Sequence, residues 1–193
     1  MIGELLTIIT REVTTYIDNQ VKLPSGKKTV VLYKPNSIKG EVEIPDNTIA
    51  LSLLNIEQEL SIRDATIKKE VIDGKVYKQD PAVYINLQII FISNFQNDYV
   101  TELNYITKVI EFFQQKSSFT PENTKGLGAL KIEDLNFKLN TLELDEQHNI
   151  WSMLGTTYMP SVVYKVSMLT IQEEKKLAKD SIVKNVKIDT RRK

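Results

Sequence analysis

Residues 82–95 constrain the fold more than any other part of this sequence. Val83, Ile85, Leu87, Ile89 and Phe91 recur at every second position, which is the period of a β-strand. Most of them are β-branched or aromatic, the types that fit a pleated surface. The alternate set, Tyr84, Asn86, Gln88, Ile90 and Ile92, changes from polar to apolar along the run. A strand this apolar is stable only inside a sheet, so the rest of the chain must supply further strands and a covering layer.

The covering layer is visible in two amphipathic helices. Ile2, Leu5, Leu6, Ile9, Val13, Tyr16 and Ile17 fall at three- and four-residue spacing, and Leu23-Pro24-Ser25-Gly26 ends that helix. A second helix is expected over residues 98–116, roughly 28 Å long. Val100, Leu103, Ile106, Val109, Ile110 and Phe113 make its expected buried stripe. Further strands are expected at residues 29–33, 48–56, 130–142 and 158–169. A short helix is expected over residues 145–154. Residues 34–47 and 117–129 read as loops, rich in Pro, Gly and Asn. Residues 57–80 are polar and read as an exposed hairpin or excursion. The order predicts an α+β fold: a mixed or antiparallel sheet of about five strands, with two long helices and one short helix on one side, and an extended C-terminal arm. Residues 1–170 form the expected domain and 171–193 the arm.

Composition narrows the function. The formal net charge is zero over 193 residues, with 25 basic and 25 acidic side chains. From Gln172 onward, however, eight Lys/Arg face four Asp/Glu. A basic tail therefore follows an acidic body. The absence of cysteine excludes disulfides, thiolate metal sites and cysteine nucleophiles. The start of the chain does not read as a secretory signal, and no segment reaches the roughly 18 apolar residues of a membrane helix. Synthesis in the cytoplasm without direct membrane insertion is expected.

Motifs for chemistry are weak. His148 is the single histidine, and its neighbours Asp145 and Glu146 suit the first turn of a helix better than a general base. Lys125-Gly126-Leu127-Gly128 lacks the spacing of a phosphate-binding loop and reads as a turn. Trp151 is expected in the core, with an interface anchor as the alternative. No catalytic, cofactor-binding or metal-ligating residue is assigned, and no enzyme activity or cofactor is expected.

Several segments in order resemble the cap or tail-terminator family of contractile injection systems of the antifeeding-prophage type. They are the N-terminal helix, Leu51-Ser52-Leu53-Leu54-Asn55-Ile56-Glu57, and Pro81-Ala82-Val83-Tyr84-Ile85-Asn86-Leu87 running on to Phe95. Ile110-Glu111-Phe112-Phe113-Gln114 follows, then His148-Asn149-Ile150-Trp151-Ser152-Met153-Leu154-Gly155, and Tyr158 to Val166 last. The resemblance implies a hexameric ring that ends inner tube and sheath, in a phage-tail-like particle that is released or membrane-associated. Some relatives carry an extra C-terminal domain, for which this sequence is too short. A phage tail-completion or baseplate adaptor subunit is the near alternative. Nucleic-acid binding through the basic tail is the distant one, and no aromatic residue in that tail supports base stacking.

The tail itself alternates. Ile182, Val186 and Ile188 share one face, with Val183, Asn185 and Lys187 on the other. Such a segment is strand-competent but too small to bury itself. Together with Lys184 it is expected to add a strand to a neighbour, with a disordered end as the alternative, and the resemblance suggests the last sheath ring as recipient.

Overall fold

The structure is a computed structural model that describes residues 1–21, 29–34, 44–61, 67–72, 75–95, 98–171 and 176–177. The chain divides into two compact units. The first comprises Met1–Gln58 and Ile85–Leu169, and the second Glu59–Tyr84 and Thr170–Lys193.

In the first unit, helix α1 (Ile2–Gln20) buries Leu5, Leu6, Ile8, Ile9, Val13 and Ile17 along one stripe. It ends when Val21 turns extended, its N–H donating to the Ile17 carbonyl at 2.8 Å. The expected Leu23-Pro24-Ser25-Gly26 stop lies outside the described residues. Helix α2 (Tyr99–Gln115) starts at Asp98, whose carboxylate accepts the Thr101 N–H at 3.0 Å. That bond satisfies one of the free donors at the helix start and holds the Asp98 carboxyl below its ordinary value, with the Thr101 hydroxyl as the largest cause.

The described strands of this unit are β1 (Val30–Leu32), β2 (Thr48–Gln58), β5 (Val83–Asn94), β6 (Ser118–Phe119), β7 (Leu135–Asn140) and β8 (Ser161–Ile171). They form one mixed sheet in the order β1-β2-β5-β8-β7-β6. The β1–β2 pair is parallel, whereas β2–β5, β6–β7 and β7–β8 are antiparallel. Ser93 N–H donates to the Pro160 carbonyl at 2.9 Å, so the end of β5 lies beside the start of β8. The strand with the strongest sequence signal is therefore held on both edges.

Both faces of that strand are buried. Ile85, Leu87, Ile89 and Phe91 pack with Leu51, Phe137, Tyr164 and Val166 against the two long helices. Residues of opposite parity, Ala50, Ile90, Ile92 and Val163, pack against Trp151 and Leu154 of the short helix α3 (Leu144–Leu154). The helices thus do not share one side, as expected from their order. α3 covers the other face, because Ile90 and Ile92 make that end of it apolar. The polar end, at Gln88, instead joins Glu57, whose Oε1 accepts from Gln88 Nε2 at 2.6 Å.

Two boundaries differ from expectation. The strand expected over residues 130–142 is shortened to β7. Gly128–Leu130 is a 3-10 turn, and Lys131 has a left-handed φ of 56° that cannot continue a strand. The loop over residues 117–129 contains the short strand β6.

In the second unit, β3 (Lys68–Ile72) and β4 (Lys75–Gln79) form the expected hairpin, with Val71 opposite Val76. A short strand β9 (Lys176–Leu177) pairs with the other edge of β4, Leu177 opposite Tyr77. None of the residues of this unit whose exposure is described is buried.

Candidate partner-binding surfaces

The residues weighed for chemistry are placed in structural roles. Glu146 Oε2 accepts the Glu143 N–H at 3.0 Å and caps α3, and Asp145 lies in the same first turn. His148 is exposed on that helix. Among the described residues, no group of three His, Cys, Asp or Glu could hold a metal ion. No described helix is long and apolar enough to cross a membrane.

The Lys125-Gly126-Leu127-Gly128 segment is pinned from outside and below. Arg11 Nη2 donates to the Lys125 carbonyl at 2.6 Å, and Leu127 is fully buried. Gly126 has φ +103°, and a Cβ there would meet Ile8 Cδ1 at 3.2 Å. The glycine lets the turn settle onto α1, and the segment packs instead of opening a cradle for phosphate.

Trp151 is core, as expected, and only 7% exposed. Its ring meets that of Tyr158 edge-on with centroids 5.5 Å apart. Beside it lies a cleft of about 250 Å³ between the end of β7, α3 and the start of β8. Ile90, Leu142, Ile150, Trp151 and Val163 give it apolar walls, and Asn140 and Gln147 add polar groups. Leu144 and Met153, on the same helix, are 82% and 63% exposed. Glu143, Asp145 and Glu146 are also exposed at the start of α3, which makes that side acidic. On the sheet nearby, Lys138 stands opposite Lys165, whose Nζ lies 4.0 Å from Glu57.

A second surface comes from α2, whose buried face keeps Ile106, Val109 and Phe113 of the expected stripe but is rotated away from the rest. Tyr105, Ile106, Val109, Phe112 and Phe113 are buried, while Val100, Leu103 and Ile110 face outward. The apolar residues of this helix span an arc of roughly 240° at 100° per residue, too wide for one core to cover. The core takes the part with the aromatic rings: Phe113 lies 4.4 Å from Tyr164 and 4.8 Å from Phe137, centroid to centroid. The remaining arc forms an exposed ridge of Val100, Leu103, Asn104, Thr107, Ile110 and Gln114, edged by the Lys108–Glu111 ion pair at 2.7 Å. This ridge and the Trp151 cleft lie on opposite sides of one sheet. The proposed arm residues Ile182, Val183, Lys184, Val186, Lys187 and Ile188 lie outside the described residues.

The sequence matches the Pvc16 N-terminal domain family over residues 4–185. The chain belongs to that family. The match spans both units and reaches into the alternating segment. No sequence among curated proteins matches the chain. Two solved structures share the fold of this Pvc16 N-terminal domain protein. One is the PVC sheath/tube terminator of an extracellular contractile injection system, in the extended state. It aligns at TM-score 0.55 and 12% identity, over 97% of this chain and 64% of the other. The other is the tube-terminating cap of the anti-feeding prophage, at TM-score 0.60 and 11% identity over 96% of this chain and 60% of that one. This chain therefore spans about three fifths of the length of the caps it matches.

Proposed function

We propose that this chain is a non-enzymatic structural subunit that ends the inner tube and sheath of a phage-tail-like contractile particle. Copies form a closed ring, hexameric as the resemblance implies, seated on the last tube and sheath rings. The observation that carries the reading is the extent of the match. Nearly the whole chain adopts the fold of two proteins described as terminator caps. The exposed surfaces support it independently. A head-to-tail ring needs two different complementary surfaces on opposite sides of each subunit. The apolar α2 ridge is suited to one of them. Recognition by surface complementarity requires no reactive group, which suits the capping and packing roles of Glu146, Asp145 and Gly126.

Deleting the gene in its host tests this. Particles with tubes and sheaths of uncontrolled or unstable length are expected by electron microscopy. Particles of normal, uniform length would remove the terminator role.

A further inference from the structure

We propose that the acidic-sided cleft beside Trp151 receives the basic alternating segment 182–188 of a neighbouring copy, so that adjacent ring subunits are tied by exchanged arms. The inference rests on the reading of the chain as a ring subunit. It replaces the sheath with the ring itself as the recipient of the arm.

Cleft and segment match in apolar character. The cleft has apolar walls, and α3, which supplies Ile150 and Trp151 to them, also exposes Leu144 and Met153. Ile182, Val186 and Ile188 alternate on one face of a segment too small to bury them itself. An extended peptide laid along such a cleft places alternate side chains in its walls, and the walls select β-branched, apolar residues.

Charge matches in the same sense. Glu143, Asp145 and Glu146 sit within one turn at the start of α3, with no lysine or arginine anywhere on that helix. Six Lys/Arg against two Asp/Glu follow Leu177. The segment carries Lys184 and Lys187, and Arg191, Arg192 and Lys193 come next. Lys138 and Lys165 stand on the sheet nearby, so Lys184, which shares the face of Ile182, Val186 and Ile188, is assigned to the α3 side, and Lys187, on the opposite face, to the mouth of the cleft.

The free length of the arm is set by its pairing with β4. Because Lys176 and Leu177 pair with β4 of their own chain, the arm is anchored at Leu177 and not at Gln172. Ile182 and Ile188 can then extend at most about 18 Å and 40 Å from that anchor. In a closed ring each copy gives one arm and accepts one, which leaves no cleft empty.

The test uses the full-length chain, carrying a photocrosslinking residue in place of Val186. Equal amounts of isotopically light and heavy protein are mixed, irradiated and digested. Crosslinks between light and heavy chains that map to residues 139–163 are expected. Charge reversal supplies the second measurement. Lys184→Glu with Lys187→Glu, and separately Glu143→Lys with Asp145→Lys, should each weaken self-association about tenfold at low salt. Combining the two pairs in one chain should restore it. The arm pair leaves the first unit untouched, so its effect is not a folding defect. Crosslinks confined to one chain, crosslinks only to added sheath protein, or wild-type association by both reversed pairs would overturn the proposal. These measurements need no particle, so normal tube length in a deletion strain would remove the terminator role and leave the docking result standing.

Discussion

Replacing Phe112 with alanine is the sharpest test of how α2 sits. The stripe read from the sequence leaves Phe112 out, whereas the structure makes it only 5% exposed. Its ring lies 5.3 Å from Tyr16, 4.9 Å from Phe113 and 6.0 Å from Phe119, so it joins α1, α2 and β6. Truncating a buried Phe removes its transfer free energy and leaves a cavity, together about 3–5 kcal/mol. For a chain of this size that lowers Tm by roughly 6–20 °C. Urea unfolding followed by far-UV circular dichroism and by fluorescence of Trp151 is the assay. Trp151 lies across the sheet from Phe112, so equal shifts by both probes show that the two cores unfold together. Val100→Ala is the control: at 67% exposure it should cost no more than about 0.5 kcal/mol. A cost below about 1.5 kcal/mol for Phe112→Ala, with a larger one for Val100→Ala, would show that the helix is rotated and refute the reasoning.

Two further outcomes follow. Tyr164 is 3% exposed, and burial pushes its hydroxyl up to about 12 from 10.0. Unfolded chains lose this proton first, so stability is intact below pH 10 and falls as pH rises towards 12, at about 1.4 kcal/mol per pH unit. Tyr164→Phe should flatten that alkaline limb in a stability–pH series, and an unchanged slope would contradict the burial. Val100→Asp with Leu103→Asp should leave the monomer's melting curve within about 0.5 kcal/mol of wild type, yet remove the ring from a native mass spectrum. A ring of unchanged mass would take the α2 ridge out of the interface.

Much of the fold could be read from side-chain periodicity, and the misreadings have local causes. α1 has a single apolar stripe, and its expected residues are buried or half-buried, with Ile8 the addition. α2 offers two overlapping stripes, and spacing alone cannot choose between them. The aromatic rings of Phe91, Phe119, Phe137 and Tyr164 make the choice, and they are brought together only by the sheet. The strand misread over residues 130–142 fails at Lys131, a conformation that local pattern does not announce. The position of α3 did leave a signal. Ile90 and Ile92 made the second face of β5 apolar at one end, and an apolar face calls for a cover. The order β1-β2-β5-β8-β7-β6 had no comparable signal, because it depends on which strand edges meet. The Trp151 cleft was equally hidden, since its walls come from three separated stretches of chain.

The same asymmetry explains how a fold with no reactive constellation among its placed candidates can specify partners. Covering β5 on both faces uses up the apolar residues that would otherwise make a single large sheet surface. What remains exposed is divided. The ridge on α2 is mostly apolar, with the Lys108–Glu111 pair neutralising itself, and the α3 side combines exposed Leu144 and Met153 with three carboxylates. A ridge with no net charge pairs chiefly by shape and apolar contact, which tolerates salt. A carboxylate cluster beside an apolar cleft discriminates by charge as well, and its contribution weakens as the Debye length shrinks. Two surfaces with different salt responses let ring closure and arm exchange be separated in one titration. Raising the salt should loosen the arm while the ridge contact persists. The order of loss therefore assigns each surface to its partner.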